Sequence, residues 1–381
     1  MNSLIYFDNS STTCCDKEIA EVIAKTMTEN FGNPSSLHSL GVDAQMAFEK
    51  AERQVLKAIN AKDGKVVFTS GGTESNNLAV FGSVNALKKR GNRVIVSAIE
   101  HSSVLTPFKE LEKQGYDVVY LKPDKDCRIP LSELENALTK DTILVSCMFV
   151  NNEVGTIQDI KKMAKLTHEK APHAYFHTDA VQAFGKIPVD VKSLGVDLLS
   201  MSGHKINCSK GVGALYIREK IRIVPIIYGG GQQDAIKPGT ENVPLAVGFG
   251  EAAKNAVSLR EKTFEKVSEI NKALRSELSK IEAVHILSPE EGCCPFILCF
   301  SLENYKAETV LHFLEEKEIY LSSGSACSKG KESHVLGAMG VDPFLIKSSL
   351  RISLGKYNEL SEVAPFVEAI KEATEGLRKI K

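Results

Sequence analysis

A regular alternation of two kinds of segment constrains the fold of this chain more than any other feature. Short apolar runs, rich in β-branched residues and bounded by glycine or polar turns, predict buried strands. They are KVVFTS, RVIVSAIE, DVVYLKP, TILVSCMFV, AYFHTDA, VDLLSMSG and GVGALYI. Amphipathic segments such as TESNNLAVFGSVNALKKRG and LSELENALTKD lie between them and predict helices. This order is typical of an α/β fold with a largely parallel sheet covered by helices on both faces.

The second half of the chain predicts a smaller domain. A long amphipathic segment at about 246–281 predicts a helix that leaves the large domain. Beyond it, VHILS, PFILCFSLE, IYLSSG and LRISLG predict strands, and EVAPFVEAIKEATEGLRKI predicts a closing helix. We therefore expect a large domain over residues 15–257 and a small α+β domain formed by residues 1–14 and 258–381. A stretch of small side chains, SSGSACSK, predicts a mobile loop at about 322–334.

Composition excludes several classes of function. The chain has 381 residues, 43% of them hydrophobic, and a net charge of -1, so it has a core but no basic footprint for nucleic acid or membrane surfaces. Its longest apolar run, ILVSCMFV, is far below the roughly 20 residues of a membrane span. The start, MNSLIYFDNSSTT, lacks the pattern of a signal peptide. Nine cysteines without disulfide or zinc spacing predict reduced thiols, no metal site and a cytoplasmic location.

Two charged residues follow predicted strands. Lys205, in SGHK, comes directly after VDLLSM, where a lysine is either a surface residue or a Schiff-base amine. Asp179 ends the strand AYFHTD, at the sheet edge where parallel sheets bind ligands. Pyridoxal phosphate needs such a carboxylate to keep its ring nitrogen protonated. A helix-capping aspartate is the alternative.

Two further strand ends carry polar groups. TSGGTESNN passes from a strand through two glycines to Thr73 and a helix, an arrangement that can cradle a phosphate on backbone N–H groups. His101, in IEHSSV, can stack on a cofactor ring and move protons, although a lone histidine is more often structural. Neither signal is specific by itself.

Eight sequence blocks in order resemble one family. They are SGGTESNN, EHSSV, NNEVG, DAVQ, SGHK, GTENV, SSGSAC and LRISLG. Their order and spacing resemble the cysteine desulfurases, the NifS- and IscS-like branch of the class V aminotransferases, over essentially the whole chain. The resemblance implies a pyridoxal-phosphate-dependent fold type I with a mostly parallel seven-stranded sheet. It also implies conversion of L-cysteine to L-alanine, with the sulfur passed as a persulfide to an iron–sulfur scaffold or a thiolation enzyme.

The same resemblance assigns roles to single residues. Lys205 would hold pyridoxal phosphate covalently and act in catalysis, Asp179 would pair with the ring nitrogen, and Gln182 would bond to the ring oxygen. His101 would stack on the ring and take part in catalysis. Arg351 would hold the substrate carboxylate with its guanidinium fork.

Further residues would complete the site by the same resemblance. Asn152 would contact both cofactor and substrate, and Thr240 would reach the phosphate of the other subunit, which implies a homodimer with shared active sites. The remaining phosphate ligands would be Gly72, Thr73, Ser202 and His204.

Cys327 resembles the sulfur-collecting nucleophile. A loop of serine and glycine has few anchoring contacts, which lets a thiol reach both the cofactor and an outside acceptor. The alternative is a turn with an incidental cysteine. The chain is expected to hold no resident metal, although Cys327 could transiently ligate an iron–sulfur cluster.

Two segments depart from the family pattern. In QQDAIKPGT, Gln233 replaces a glutamate, Ala235 a glycine and Lys237 an arginine, and lysine keeps the charge but not the planar fork. These changes put the geometry of the loop and its contacts across the dimer in question. After Lys205, Cys208 stands where the family has glycine, either as a packing residue or as a second reactive thiol.

Three alternatives stay open at this point. A selenocysteine lyase would use nearly the same residues, and relative rates on L-cysteine and L-selenocysteine would separate the two. Another class V aminotransferase or C–S lyase would leave Cys327 unexplained. A non-enzymatic sulfur carrier would use the vicinal cysteines, and a yellow protein that loses its colour on Lys205→Ala would exclude it.

Overall fold

The computed structural model describes residues 4–323 and 332–379. Cys327 therefore lies outside the described residues, as does most of the predicted 322–334 loop. The strands are β1 (Ile5–Tyr6), β2 (Lys65–Thr69), β3 (Arg93–Ser97), β4 (Asp117–Leu121), β5 (Thr142–Ser146), β6 (Tyr175–Asp179), β7 (Leu198–Ser202), β8 (Gly213–Ile217), β9 (Val284–Ile286), β10 (Ile297–Leu302), β11 (Ile319–Tyr320), β12 (Ser322–Ser323) and β13 (Ser349–Ser353). The α-helices are α1 (Lys17–Glu29), α2 (Ser39–Ala58), α3 (Gly72–Leu87), α4 (Ser102–Lys113), α5 (Leu131–Ala137), α6 (Ile160–Lys170), α7 (Val191–Leu194), α8 (Val243–Leu278), α9 (Ala307–Glu315), α10 (His334–Ala338), α11 (Pro343–Lys347) and α12 (Val363–Gly376).

Seven strands form the main sheet, in the order β2-β8-β7-β6-β5-β3-β4. The neighbours from β7 to β4 pair in parallel, whereas β8 runs antiparallel to both β2 and β7. The predicted α/β fold with a mostly parallel seven-stranded sheet is confirmed. Because six strands point the same way, the segments that follow them emerge at one edge of the sheet.

Several elements differ in length from the prediction. The long helix begins at Val243 rather than 246, because the Asn242 side chain accepts a hydrogen bond from the Leu245 N–H and caps it. The apolar run TILVSCMFV is a strand only to Ser146, since the buried Glu100 carboxylate accepts a hydrogen bond from the Met148 N–H at 2.6 Å. Sequence patterning does not reveal such side-chain competition for backbone groups.

Two smaller sheets bring the ends of the chain together. Antiparallel strands form the sheet β12-β13-β10-β9, and β1 pairs in parallel with β11 through Ile5↔Ile319 and Tyr6↔Tyr320. A bridge between Asp8 and Ser353 extends this contact. The N-terminal segment therefore lies beside β13, which carries Arg351. The domain boundaries given above remain a prediction.

The helix α8 packs along α1 and α2, and aromatic side chains join it to the main sheet. The rings of Phe48 and Phe68 have centroids 5.0 Å apart, and Phe68 in turn lies 6.2 Å from Phe249 on α8. Such edge-on ring pairs add stability beyond the apolar area that they bury. Among residues 4–323 and 332–379, no helix is long and apolar enough to cross a membrane.

Candidate active site

The carboxyl edge of the main sheet forms the floor of a cavity of about 390 Å³. Asp179 is the last residue of β6, and Ser202 is the last residue of β7. His204 and Lys205 follow in a 3₁₀ turn, while α3 begins at Gly72, shortly after β2. The strand direction alone therefore places groups far apart in sequence around one space.

Most residues that the sequence predicts for the site meet in this cavity. The predicted residues lining it are Gly72, Thr73, His101, Asn152, Asp179, Gln182, Ser202, His204, Lys205 and Arg351. Thr240 lies elsewhere, in a cavity of about 140 Å³ that also borders Phe48 and Lys237. Cys327 lies outside the described residues.

Lys205 is tied to the N-terminal segment. Its Nζ donates hydrogen bonds to the carbonyl of Ser10 and, at 2.7 Å, to the carbonyl of Ser11. These two carbonyls hold the amine at the cavity wall. His204, beside it, contacts the Thr12 hydroxyl at 3.2 Å through Nδ1. Burial and the neighbouring Lys205 charge lower the pKa of His204 to about 4, so the imidazole is neutral at physiological pH.

A chain of hydrogen bonds joins Asp179 to His101. Asn76 Nδ2 donates to Asp179 Oδ2 at 2.7 Å and to Ser103 Oγ at 2.8 Å. Ser103 Oγ lies 2.8 Å from His101 Nδ1, which also accepts from the Ser103 N–H at 3.1 Å. Because Nδ1 acts as an acceptor, the neutral ring carries its proton on Nε2. The Val181 N–H binds the other Asp179 oxygen at 2.9 Å, so the carboxylate is held on both sides.

Arg351 enters the cavity from the small sheet and is buried. One guanidinium nitrogen donates to the Asn152 carbonyl at 2.8 Å, and another to Ser11 Oγ at 2.8 Å. An ion pair with Asp8 at 3.2 Å fixes the same group. Arg351 Nε and Asn152 Oδ1 are buried without a hydrogen-bond partner in the described part of the chain. An unpartnered guanidinium N–H at a cavity wall suits a carboxylate ligand.

The site also contains residues that the sequence analysis did not identify. They are Ser10, Ser11, Asn76, Ser102, Ser103, Met148, Glu153, Val181 and His334. Asn76 and Ser103 lie inside the blocks SGGTESNN and EHSSV, so position within those blocks was the available signal. Ser10 and Ser11 reach the site through the non-local pairing of the N-terminal segment with β11 and β13, which no local pattern predicts.

His334 and Glu153 join α10 to the cavity wall. His334 Nε2 lies 3.0 Å from the Glu100 carbonyl, which can only accept, so the ring proton is on Nε2. Burial lowers the pKa of His334. Ser333 caps α10 and donates a hydrogen bond to the Glu153 carboxylate. Burial raises the pKa of Glu153 to about 7.

The loop around Gln233, whose sequence departs from the family pattern, forms specific contacts with the edge of the main sheet. Gln233 Oε1 accepts from the Phe68 N–H at 2.7 Å, and its Nε2 donates to the Phe68 carbonyl at 3.0 Å. A glutamate could make only the first bond. Lys237 lies 3.7 Å from Glu74 in an ion pair. Ala235 has a positive φ of 57°, in the left-handed region where a glycine would be unstrained.

Cys208 is a packing residue rather than an exposed thiol. It is buried in the core, and burial raises its pKa to about 12. A thiol that stays protonated is a poor nucleophile. All eight cysteines in the described ranges are free thiols.

The cavity fits pyridoxal phosphate by several independent features. A Cβ on Gly72 would lie 2.9 Å from Val181 Cγ2, so only glycine leaves this end of the cavity open beside the first turn of α3. Backbone N–H groups at that helix start attract a phosphate. Within the described residues, Ser202 Oγ and Asn76 Oδ1 are buried without a hydrogen-bond partner. Polar atoms of this kind are expected where a polar ligand binds.

The fold and the site define a protein of the aminotransferase fold with a polar cavity at the carboxyl edge of its main sheet. The model of the class-V aminotransferases matches residues 5–366, and the chain belongs to that family, in its NifS- and IscS-like branch. The cysteine desulfurase IscS of Methanosarcina thermophila is 42% identical over 100% of this chain and 94% of its own length.

Two solved structures are similar throughout. A NifS-like protein has a TM-score of 0.93 and 37% identity, covering 98% of this chain and 100% of its own. The structure described as SspA in complex with cysteine has a TM-score of 0.81 and 32% identity, covering 93% of this chain and 99% of its own. The resemblance seen in the sequence blocks is confirmed.

Proposed function

We propose that this chain is a pyridoxal-phosphate-dependent cysteine desulfurase, a sulfurtransferase that converts L-cysteine to L-alanine and retains the sulfur as a persulfide on Cys327. The observation that carries the proposal is the meeting of Lys205, Asp179 and Arg351 in one cavity. The desulfurase names of its relatives support the choice of reaction. They do not favour a selenocysteine lyase, which measured relative rates on the two amino acids would test.

The residues around the cavity suit each part of the cofactor. Asp179 would bind the ring nitrogen, Gln182 the ring oxygen, and His101 would stack on the ring. Gly72, Thr73, Ser202 and His204 would hold the phosphate. When bound, pyridoxal phosphate supplies an electron sink for charge that develops at the substrate α-carbon. The network from Asp179 to His101 keeps both groups in fixed orientations before any ligand arrives.

Substrate binding rests on the other wall of the cavity. Arg351 Nε and the Asn152 amide oxygen face a space in which the carboxylate and amine of an amino acid can be held. Lys205 Nζ would take the α-proton of the bound substrate, and the carbonyls of Ser10 and Ser11 orient the amine for that task. His101 Nε2 is a further group in the cavity able to carry a proton.

The sulfur-transfer step assigns a role to Cys327. Its thiolate attacks the sulfur of the substrate, an S–S bond forms, and the substrate C–S bond breaks. The β-carbon gains a proton and the α-carbon regains the proton that Lys205 took, so the products are L-alanine and a Cys327 persulfide. The persulfide sulfur then passes to an iron–sulfur scaffold or a thiolation enzyme, in the cytoplasm.

A homodimer with shared sites is part of the same proposal. Thr240 lies in a cavity apart from Lys205 of its own chain, as expected of a residue that serves the partner's phosphate site. The loop that carries it borders α2 through Phe48. The exposed apolar side chains of the α1–α2 region could meet a second copy there; they are Met27, Phe31, Leu37, Leu40, Val42 and Met46.

The cofactor assignment is tested by removing the amine that would hold it. Purified Lys205→Ala is expected to lose the yellow colour and the visible absorption of the wild type, and to produce no alanine. Lys210→Ala is the matched control, because Lys210 is an exposed lysine five residues further along the chain. A Lys205→Ala protein with undiminished visible absorption and activity would refute the assignment.

A further inference from the structure

We propose that Lys186 is a positioning residue that orients the side-chain amide of Gln182, so that an amide N–H faces the ring-oxygen position of the cofactor. This inference rests on the proposed function, because it concerns how this chain holds pyridoxal phosphate. The sequence analysis attached no role to Lys186, which lies four residues after Gln182 in the turns that follow β6.

Lys186 is a buried cation in direct contact with a cavity residue. Its side chain is almost fully removed from solvent, and Nζ donates a hydrogen bond to Gln182 Oε1 at 2.7 Å. The same Nζ lies 5.9 Å from the centroid of the Phe296 ring. Charged lysines are rarely buried unless a partner compensates the cost of desolvating the ammonium group. We therefore attribute a function to the contact between Lys186 and Gln182.

The partners on the two sides of Gln182 allow only one orientation of the amide. Gln182 Nε2 donates to the Ser10 carbonyl at 3.0 Å, and a carbonyl can only accept. An ammonium group can only donate. A flipped amide would place two acceptors together at Ser10 and two donors together at Lys186. The ammonium and the carbonyl therefore lock the amide from opposite ends.

The locked amide has one N–H left for the cavity. An amide nitrogen carries two hydrogens, and the Ser10 carbonyl takes one of them. Gln182 lines the 390 Å³ cavity, so its second N–H is available to the cofactor's ring oxygen. The Ser10 carbonyl also binds Lys205 Nζ, so Lys186, Gln182 and Lys205 form one connected group.

The surroundings of Lys186 are compatible with the ammonium form at neutral pH. Burial lowers its pKa to about 8, the thiol of Cys294 acts in the opposite direction, and the Arg351 charge lowers it further. A donor and a positive charge on the ring-oxygen side both favour the ionised form of that oxygen. Lys186 thus acts on the cofactor through Gln182 without touching it.

The test is a pH titration of the visible absorption band of the purified yellow holoenzyme. Lys186→Met should raise the titration midpoint by about one pH unit, because loss of a donor to an anion raises its proton affinity. Gln182→Leu should raise the midpoint by a similar amount. The double variant should have nearly the same midpoint as either single variant, since both changes remove the same amide contact with the ring oxygen. Lys210→Met, an exposed lysine, is the control and should leave the midpoint unchanged.

Three outcomes would overturn the inference. They are an unshifted midpoint in Lys186→Met, additive shifts in the double variant, and a midpoint for Lys186→Arg equal to that of Gln182→Leu. Lys186→Arg keeps a donor-only cation, so it should titrate like the wild type, and it carries the test if Lys186→Met does not fold. An unshifted midpoint in a yellow enzyme that forms alanine overturns this inference alone. A wild type that binds no cofactor overturns the proposed function and this inference together.

Discussion

The buried carboxyl of Glu153 makes stability depend on pH. Burial raises its pKa from 4.5 to about 7, despite the Ser333 hydrogen bond and the nearby charge of Arg351. The protonated form is therefore favoured in the folded state, and the stability that it contributes is lost as pH rises through 7. Relative to Glu153→Gln, the wild type should lose about 2–3 kcal/mol of unfolding free energy between pH 5 and pH 8.

Urea unfolding of the wild type and Glu153→Gln at several pH values measures this difference. Glu290→Gln, a surface substitution of the same kind, should follow the wild type at every pH. A stability difference between the wild type and Glu153→Gln that is constant from pH 5 to pH 8 would contradict the assignment of this group.

Single residues of the site were predictable from the sequence where they end a parallel strand of the main sheet or closely follow one. Asp179, Ser202 and Lys205 end or follow parallel strands, and direction alone brings them together. Ser103 was not predictable in this way, because its role depends on Asn76 and His101 being within hydrogen-bond distance in three dimensions. A small polar side chain gives no signal of its own beyond its place in a sequence block.

Among the structural elements, the loop that departs from the family carries strain that one substitution should relieve. Gln233, Asp234 and Ala235 are three consecutive non-glycine residues with positive φ, at 47°, 58° and 57°. Left-handed backbone costs an L-residue about 1–2 kcal/mol more than glycine. Ala235→Gly is expected to stabilise the protein by about 1 kcal/mol, after the greater chain entropy of glycine is subtracted.

Thermal and urea unfolding of Ala235→Gly measure this gain. Ala273→Gly, inside the helix α8, is the matched control and should instead cost about 1 kcal/mol, the usual penalty for glycine in a helix. Equal destabilisation by both substitutions would show that Ala235 is not strained.

The elements themselves were mostly predictable, and their ends were not. The seven strand segments of the main sheet follow from their β-branched runs, and α8 from its amphipathic pattern. The ends depend on particular side chains, such as Asn242 at the start of α8 and Glu100 beyond β5. β12 is only two residues long, and its pairing with β13 joins segments nearly thirty residues apart.

For the whole molecule, the prediction concerns two copies of the chain. Leu37 is 99% exposed between α1 and α2. A leucine so exposed beside other apolar side chains is typical of an interface. Leu37→Asp should convert a dimer into monomers in analytical ultracentrifugation and weaken cofactor retention, because Thr240 would no longer reach the partner's site.

A second exposed apolar residue provides the comparison. Phe344 is 71% exposed on α11, and Phe344→Asp should leave both the dimer and the cofactor content unchanged. A wild type that sediments as a monomer yet retains its full cofactor would contradict the shared-site proposal.

In the whole molecule, the pairing of the chain ends creates contacts at the site that the order of residues along the chain does not predict. Ser10 and Ser11 help to hold Lys205, nearly two hundred residues away, because β1 pairs with β11. Such non-local contacts follow from the packing of the complete fold and leave no local pattern. The order of strands and helices along the chain predicts which edge of the sheet holds the site, but not that the N-terminal segment closes it.

The most direct test follows the sulfur atom in the wild type and in Cys327→Ser. Each protein is incubated with L-cysteine, alanine is quantified, and peptide mass spectrometry locates any added sulfur. The proposed function predicts alanine and a Cys327 persulfide from the wild type, and little of either from the variant. Undiminished alanine from Cys327→Ser, with no sulfur bound at Cys327 in the wild type, would contradict the account.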